Sequence, residues 1–160
     1  IYTNGFLFKE KENERNLDIN AVLNANINRA YYRKLKQGAD VENEKGVLIK
    51  NKTVTKNPAP AKSYAFCSDT IYNESIIPII KDATVLYHES TFLEKNESLC
   101  EPTKHSTARQ AATIAKKANV DTLILGHYST RYDSYEGFET EANTVFDKVL
   151  LSKDRKSFEF

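Results

Sequence analysis

A small set of positions carries side chains able to do metal or acid–base chemistry. Asp69, His88, His105 and His127 each fall just after a strand-like run or just before a helix-like one, and Glu89 adjoins His88. A carboxylate with neutral imidazoles is the ligand set of zinc and similar borderline metals. An imidazole that does not bind metal can serve as a general acid, and a neighbouring carboxylate can orient it. Ser106 and Thr107 open a helix-like run whose first backbone N–H groups, with the two hydroxyls, suit a phosphate. All three histidines of the chain lie among these positions, which favours one shared polar site. Each residue alone has a plainer reading: Asp69 as a turn or cap, His105 as a surface or capping residue, His88 as a packed residue at a strand end. Asp69, His105 and Ser106 also permit a nucleophilic triad. No Gly-x-Ser-x-Gly turn presents Ser106, however, and a serine next in sequence to its base is poorly placed to be activated by it.

The elements that would position these residues can be read from pattern. Strands are expected over 63–68 (SYAFCS), 84–87 (TVLY) and 121–125 (DTLIL), the last stopping at Gly126. A short helix is expected over 75–81. A longer one should follow Thr107, with Ala108, Ala111, Ala112, Ile114, Ala115 and Ala118 on it, and Ser106 or Thr107 is a plausible cap. A helix over 138–150 and a closing strand over 157–160 complete the pattern. Strand and helix alternate, which is an α/β arrangement, and such folds bind ligands beyond the carboxyl ends of their strands.

The first part of the chain is less regular. A strand is expected over 5–9, then a charged turn over 9–16. Asp18 should cap a helix over 19–23. Asn28 should open a second helix that Gly38 ends. That helix carries Arg29, Arg33, Lys34 and Lys36 around Tyr31 and Tyr32, a mixture suited to a nucleic-acid backbone; the simpler reading is a solvated helix face. Residues 46–55 read as two short strands around Asn51-Lys52, and Pro58-Ala59-Pro60 as a stiff connector.

Composition narrows the classes. The 160 residues fit one ordinary domain. Hydrophobic residues make up 40%, and 23 Lys+Arg against 22 Asp+Glu leave a formal net charge of +1, which argues against disorder. Near-neutrality also argues against a strongly basic module, though not against a local basic patch. No apolar run approaches the roughly 20 residues a spanning helix needs, and no charged-then-apolar leader opens the chain, so no membrane partner is expected. Two cysteines, Cys67 in a strand and Cys100 in a polar loop, are too few for a disulfide framework, and a reduced, cytoplasmic setting is expected. The chain opens Ile1-Tyr2-Thr3 and contains no Met, which reads as a processed start or as a piece of something longer.

Four motifs sharpen this picture: Ser68-Asp69-Thr70, His88-Glu89-Ser90-Thr91-Phe92, His105-Ser106-Thr107-Ala108-Arg109-Gln110-Ala111-Ala112, and Leu123-Ile124-Leu125-Gly126-His127-Tyr128-Ser129-Thr130-Arg131-Tyr132. In order and spacing they resemble the ribonuclease Z family, the tRNA 3′-processing endonucleases of the metallo-β-lactamase superfamily. The likeness covers residues 64–132, and the stretch from Asn4 to Pro60 looks like the preceding segment with its tRNA-gripping arm. The fold so implied is α/β, the C-terminal half of a metallo-β-lactamase-type αββα sandwich with an inserted arm segment. Residues 1–62 would hold a strand and the tRNA-binding arm-like segment, and 63–160 the C-terminal half of the fold.

The resemblance also implies roles. Asp69 would bridge two zinc ions and His127 would ligate one of them. His105 would be the general acid that protonates the leaving 3′ oxygen, with Glu89 orienting it or relaying protons. His88 and Thr70 would support the motifs. Ser106, Thr107 and Arg131 would help hold phosphate and the local loop, and Arg29, Arg33, Lys34 and Lys36 would contact the tRNA backbone. Two departures bear on this. The family's His-x-His-x-Asp-His metal motif is absent, as is its usual Gly-Pro-rich arm tip. The implied protein is therefore part of a zinc-dependent endoribonuclease that removes the 3′ trailer from precursor tRNA, cytoplasmic and homodimeric. The chain alone would be inactive, lack the N-terminal half and a complete pair of zinc ions, and leave one sheet face bare. The alternatives are another hydrolase or phosphodiesterase of the same fold, and a non-catalytic RNA-binding pseudoenzyme module.

Overall fold

Short runs rich in β-branched, aromatic and aliphatic residues become the strands of one sheet. In the computed structural model, which describes residues 3–160, these are β1 (Phe6–Lys9), β2 (Ser63–Cys67), β3 (Val85–Glu89), β4 (Thr122–Gly126) and β5 (Val149–Leu151). Spatial order follows chain order. β1 is antiparallel to β2, and β2 to β5 run parallel. Parallel pairing demands crossovers, and it delivers the carboxyl ends of β2, β3 and β4 to one edge of the sheet.

The two sheet faces differ because side chains alternate along a strand. On one face Ala65, Cys67, Leu86, Leu123, Leu125 and Val149 join the core. They share it with helix α1 (Ala108–Ala118), whose Ala108, Ala111, Ala112, Ile114, Ala115 and Ala118 are buried, and with α2 (Glu136–Asn143), which buries Phe138 and Ala142. The alanine-rich stripe of α1 lets helix and sheet approach closely. Thr107 caps α1: its hydroxyl accepts from Gln110 N, while the Gln110 side chain accepts from Thr107 N, a reciprocal box that satisfies two otherwise unpaired donors. On the other face the register aligns Phe6 with Phe66, Phe8 with Tyr64, and Phe66 with Tyr87. Phe6 and Phe8 on this face are 54% and 59% exposed.

The chain divides into two compact units, one formed by the chain up to Lys9 with Lys62–Phe160, the other by Glu10–Ala61. In the second unit Asn16–Leu17 pairs with Thr55–Lys56, and Val41–Glu42 pairs with Leu48–Ile49. Val22, Ile27, Leu35, Val41 and Val54 form its core. Asp18 caps the helix Ile19–Asn24 by accepting from Ala21 N at 3.1 Å. Asn28 caps a 3₁₀ turn, Arg29–Tyr31, which continues as the helix Tyr32–Lys36.

Several elements differ from expectation. Residues 51–54 form a helical turn instead of separating two strands, because the buried Asn51 amide donates to Leu35 O (2.6 Å) and Ala39 O (3.1 Å) while Asp40 accepts from Asn51 N (2.8 Å). The helix expected to reach residue 150 ends at Asn143, and its apolar tail becomes β5 by pairing with β4. No strand forms over 157–160; Phe160 stacks on Tyr64 instead. β3 extends to Glu89, so His88 and Glu89 lie within the strand. Cys100 lies in a helical turn, Cys100–Thr103, of which it is the buried residue. Among the described residues no helix is long and apolar enough to cross a membrane.

Cys67 and Cys100 are both free and buried, and burial pushes each thiol up to about 11. At pH 8 the reactive thiolate is then on the order of 0.1% of each group. Alkylation of the folded chain should run at least about 100-fold slower than in denaturant. Rapid native labelling of either cysteine, followed by mass spectrometry, would show that its burial is wrong.

Candidate active site

The sheet edge gathers the polar residues. Asp69 follows β2, Glu89 ends β3, and His127 follows β4. The register places Cys67 beside His88 and Glu89 beside Gly126, so these strand ends are neighbours. Asp69 and His127 both take the left-handed backbone conformation, with φ of 50° and 60°. Such turns are costly for residues with side chains and recur at functional sites. Here they redirect each side chain immediately after its strand stops.

Glu89 is fully buried and is the hub. Oε1 accepts from His105 Nδ1 (2.9 Å), Ser106 N (3.0 Å) and Thr70 N (3.2 Å). Oε2 accepts from Thr91 N and the Thr91 hydroxyl, both at 2.9 Å. Five donors from three different loops therefore converge on one carboxylate. The arrangement also fixes two histidine tautomers. His105 must carry its proton on Nδ1 to meet Glu89, which leaves Nε2 free. The single Thr91 proton goes to Glu89, so His127 Nδ1 must donate to Thr91 Oγ1 at 2.8 Å. Its Nε2 then faces Asp69 Oδ1 at 2.9 Å. A bare nitrogen lone pair that close to a carboxylate oxygen is repulsive unless a proton or a cation lies between them.

The His105 and His127 rings stack at 5.0 Å between centroids. Donor atoms of Asp69, His105 and His127 all lie within 4.8 Å of one another. Asp69 and His127 are exposed and His105 is partly so. Together they line a cavity of about 390 Å³ with Thr3, Thr103 and Lys104. One carboxylate and two imidazoles, each imidazole braced through Nδ1 by a polar partner, form a donor set that fits a zinc-type ion.

The other anticipated residues are placed as follows. His88 is fully buried; its Nδ1 lies 2.7 Å from Glu89 O, and its Nε2 has no hydrogen-bond partner among the described residues. Burial holds its imidazole below the usual range, only partly opposed by Glu89, so it sits in the core as a neutral prop. Ser106 and Thr107 are buried. The Ser106 hydroxyl donates to Thr70 O at 2.6 Å and Thr107 caps α1, so both hydroxyls serve the loop and neither faces the cavity. Arg131 is exposed, packs over Phe92 and donates to Ser129 Oγ. Arg29, Arg33, Lys34 and Lys36 are exposed on the second unit, with Lys34 over the Tyr31 ring.

Thr91 and Gly126 were not singled out by sequence, although both lie inside quoted motifs. Thr91 links Glu89 to His127, and only the fold reveals that bridge. At Gly126 a Cβ would fall 2.6 Å from Ser152 Oγ and against the Tyr87 hydroxyl and ring. Its carbonyl accepts from Ser90 N (2.8 Å) and Ser90 Oγ (3.1 Å), fastening β4 to the end of β3. Gly126→Ala should cost about 1–3 kcal/mol by overpacking and displace His127. A urea melt and the His127 ring resonances measure both effects; an unchanged melt would mean Tyr87 yields freely.

No protein-family model matches the chain. Curated proteins named ribonuclease Z do resemble it. That of Porphyromonas gingivalis is 40% identical over 151 residues, 94% of this chain and 50% of its own length. That of Cytophaga hutchinsonii is 41% identical over 159 residues, 99% of this chain and 50% of its own. The chain thus spans about half the length of the curated relatives it matches. Among solved structures, the metallo-β-lactamase fold protein YhfI from Bacillus subtilis superposes with a TM-score of 0.54 at 27% identity, over 57% of this chain and 37% of that one. A long-form RNase Z from yeast gives 0.54 at 23% identity, over 61% and 13%. The sheet and helices are accordingly those of a metallo-β-lactamase-type fold, in agreement with its C-terminal half.

Proposed function

Since the chain is a relative of ribonuclease Z over nearly its whole length, we propose that it is the C-terminal part of a zinc-dependent endoribonuclease that removes the 3′ trailer from precursor tRNA. The observation that supports this most is the Glu89–His105 pair set against the Asp69 and His127 donors on one sheet edge. Asp69 and His127 would hold zinc, together with ligands outside this chain. When bound, the metal supplies charge neutralisation at the phosphate and activation of water.

The chain's own residues do the rest. Glu89 holds His105 through Nδ1, so a proton on Nε2 is presented to the cavity. As the P–O bond breaks, that proton passes to the leaving 3′ oxygen of the tRNA. The buried carboxylate keeps the ring aligned for that transfer. Thr91 couples the orientation of Glu89 to that of His127. Ser106, Thr107, Thr70 and His88 keep the loop and strand in place. Arg131 lies after His127 to meet a phosphate, and Arg29, Arg33, Lys34 and Lys36 would bind the tRNA backbone as a salt-sensitive grip. The working form is a cytoplasmic homodimer of the longer parent.

The test compares the parent with this chain on a precursor tRNA carrying a 3′ trailer. The parent should release the trailer in a zinc-dependent reaction, and the 160-residue chain alone should not. Parent activity on a small phosphodiester with none on precursor tRNA would replace this reading with a different hydrolase. A parent with neither activity would be a binding module.

A further inference from the structure

His105 lines the shared cavity with Asp69 and His127, its Nδ1 is taken up by Glu89, and its ring stacks on His127. In a full enzyme its Nε2 is the nitrogen that would deliver a proton. In this chain His105 is also the third member of the donor group formed with Asp69 and His127, and with Nδ1 held by Glu89 its Nε2 is the nitrogen left to serve. We propose that the chain by itself binds one divalent ion of the zinc type through Asp69 and the Nε2 atoms of His105 and His127, and that this ion occupies the nitrogen His105 needs to act as an acid.

Three features of the site point this way. Both imidazoles are oriented by Nδ1 partners, Glu89 and Thr91, which is how ligand histidines are usually braced and kept in the metal-binding tautomer. His127 Nε2 lies 2.9 Å from Asp69 Oδ1, a contact that a shared proton satisfies and that small side-chain rotations would turn into two donors facing one ion. Lastly, the spread of at most 4.8 Å among the donor atoms is close to the roughly 3.3 Å separations of a tetrahedral zinc site with bonds of about 2.0–2.1 Å. Small rotations of the exposed Asp69 and His127 side chains can close the difference, whereas His105, tied to a buried carboxylate, stays put. Three protein donors leave one position for water.

The consequence is a state distinct from the working enzyme. One Nε2 lone pair cannot hold a metal and a transferable proton together. A chain loaded in this way would carry metal and yet hold its acid out of use. Further ligands from the rest of the parent would have to draw the ion off His105. Ion binding to this chain would stand even if the parent cut no RNA, so the two readings fail separately.

The experiment titrates zinc chloride into the purified 160-residue chain by calorimetry, with cobalt(II) absorption in parallel. The expected result is one ion per chain and a cobalt spectrum of low coordination number. His105→Ala, and the more space-filling His105→Gln, should each weaken zinc at least about 10-fold with circular dichroism unchanged. Thr91→Val should weaken it about 10-fold through His127. No zinc binding by the folded chain, two ions per chain, or undiminished affinity in both His105 variants would each overturn the proposal.

Discussion

Glu89→Ala is expected to destabilise the chain by about 3–5 kcal/mol, the loss typical of removing one partner from a buried charged network. Thr70 N, Ser106 N, His105 Nδ1, Thr91 N and Thr91 Oγ1 would all lose their acceptor at once. Burial leaves little room for water to replace it, and each orphaned buried donor carries a desolvation penalty. Glu89→Gln should fall between wild type and alanine. It keeps an acceptor for the Oε1 partners but turns an amide donor toward Thr91 N. Urea melts of the three chains give the order. A loss below about 1 kcal/mol for alanine would mean that the network is not closed as described.

If the parent cleaves precursor tRNA as proposed, His105→Ala in it should lower kcat by about 10²–10⁴-fold, the usual worth of a general acid, and leave its bound metal unchanged. Glu89 holds the ring by a hydrogen bond at Nδ1, with His127 and Phe92 packed against it. Metal analysis of the same preparation provides the decisive comparison. Loss of zinc along with activity would make His105 a ligand in the parent as well as in the isolated chain. Full activity would remove it from the chemistry altogether.

The way each feature was or was not legible follows from its range in sequence. Capping needs only neighbours, so Asp18 and Asn28 could be assigned as helix openers from their own side chains and the residues that follow, and the opener of α1 narrowed to Ser106 or Thr107. The alanine stripe of α1 likewise shows in its spacing. Residues 149–151 could not be read this way. Their apolar run suits a helix tail or a strand, and the choice depends on β4, whose far edge needs hydrogen-bond partners. Asn51 was misread for a similar reason: a polar residue between two apolar runs looks like a turn until Leu35 and Ala39 offer it buried carbonyls.

The site divides along the same line. Sequence alone determined that the chain is α/β, that Asp69, His105 and His127 sit at element ends, and that the four motifs resemble ribonuclease Z, because residue type and short spacing carry that information. Tertiary structure decided which of those residues meet. It directed His88 into the core and Glu89 to the hub, spent the Ser106 and Thr107 hydroxyls on the loop, and revealed Thr91 as the bridge to His127. Adjacent residues on a strand point to opposite faces, and donors from loops far apart in sequence become neighbours only when parallel strands bring their ends to one edge.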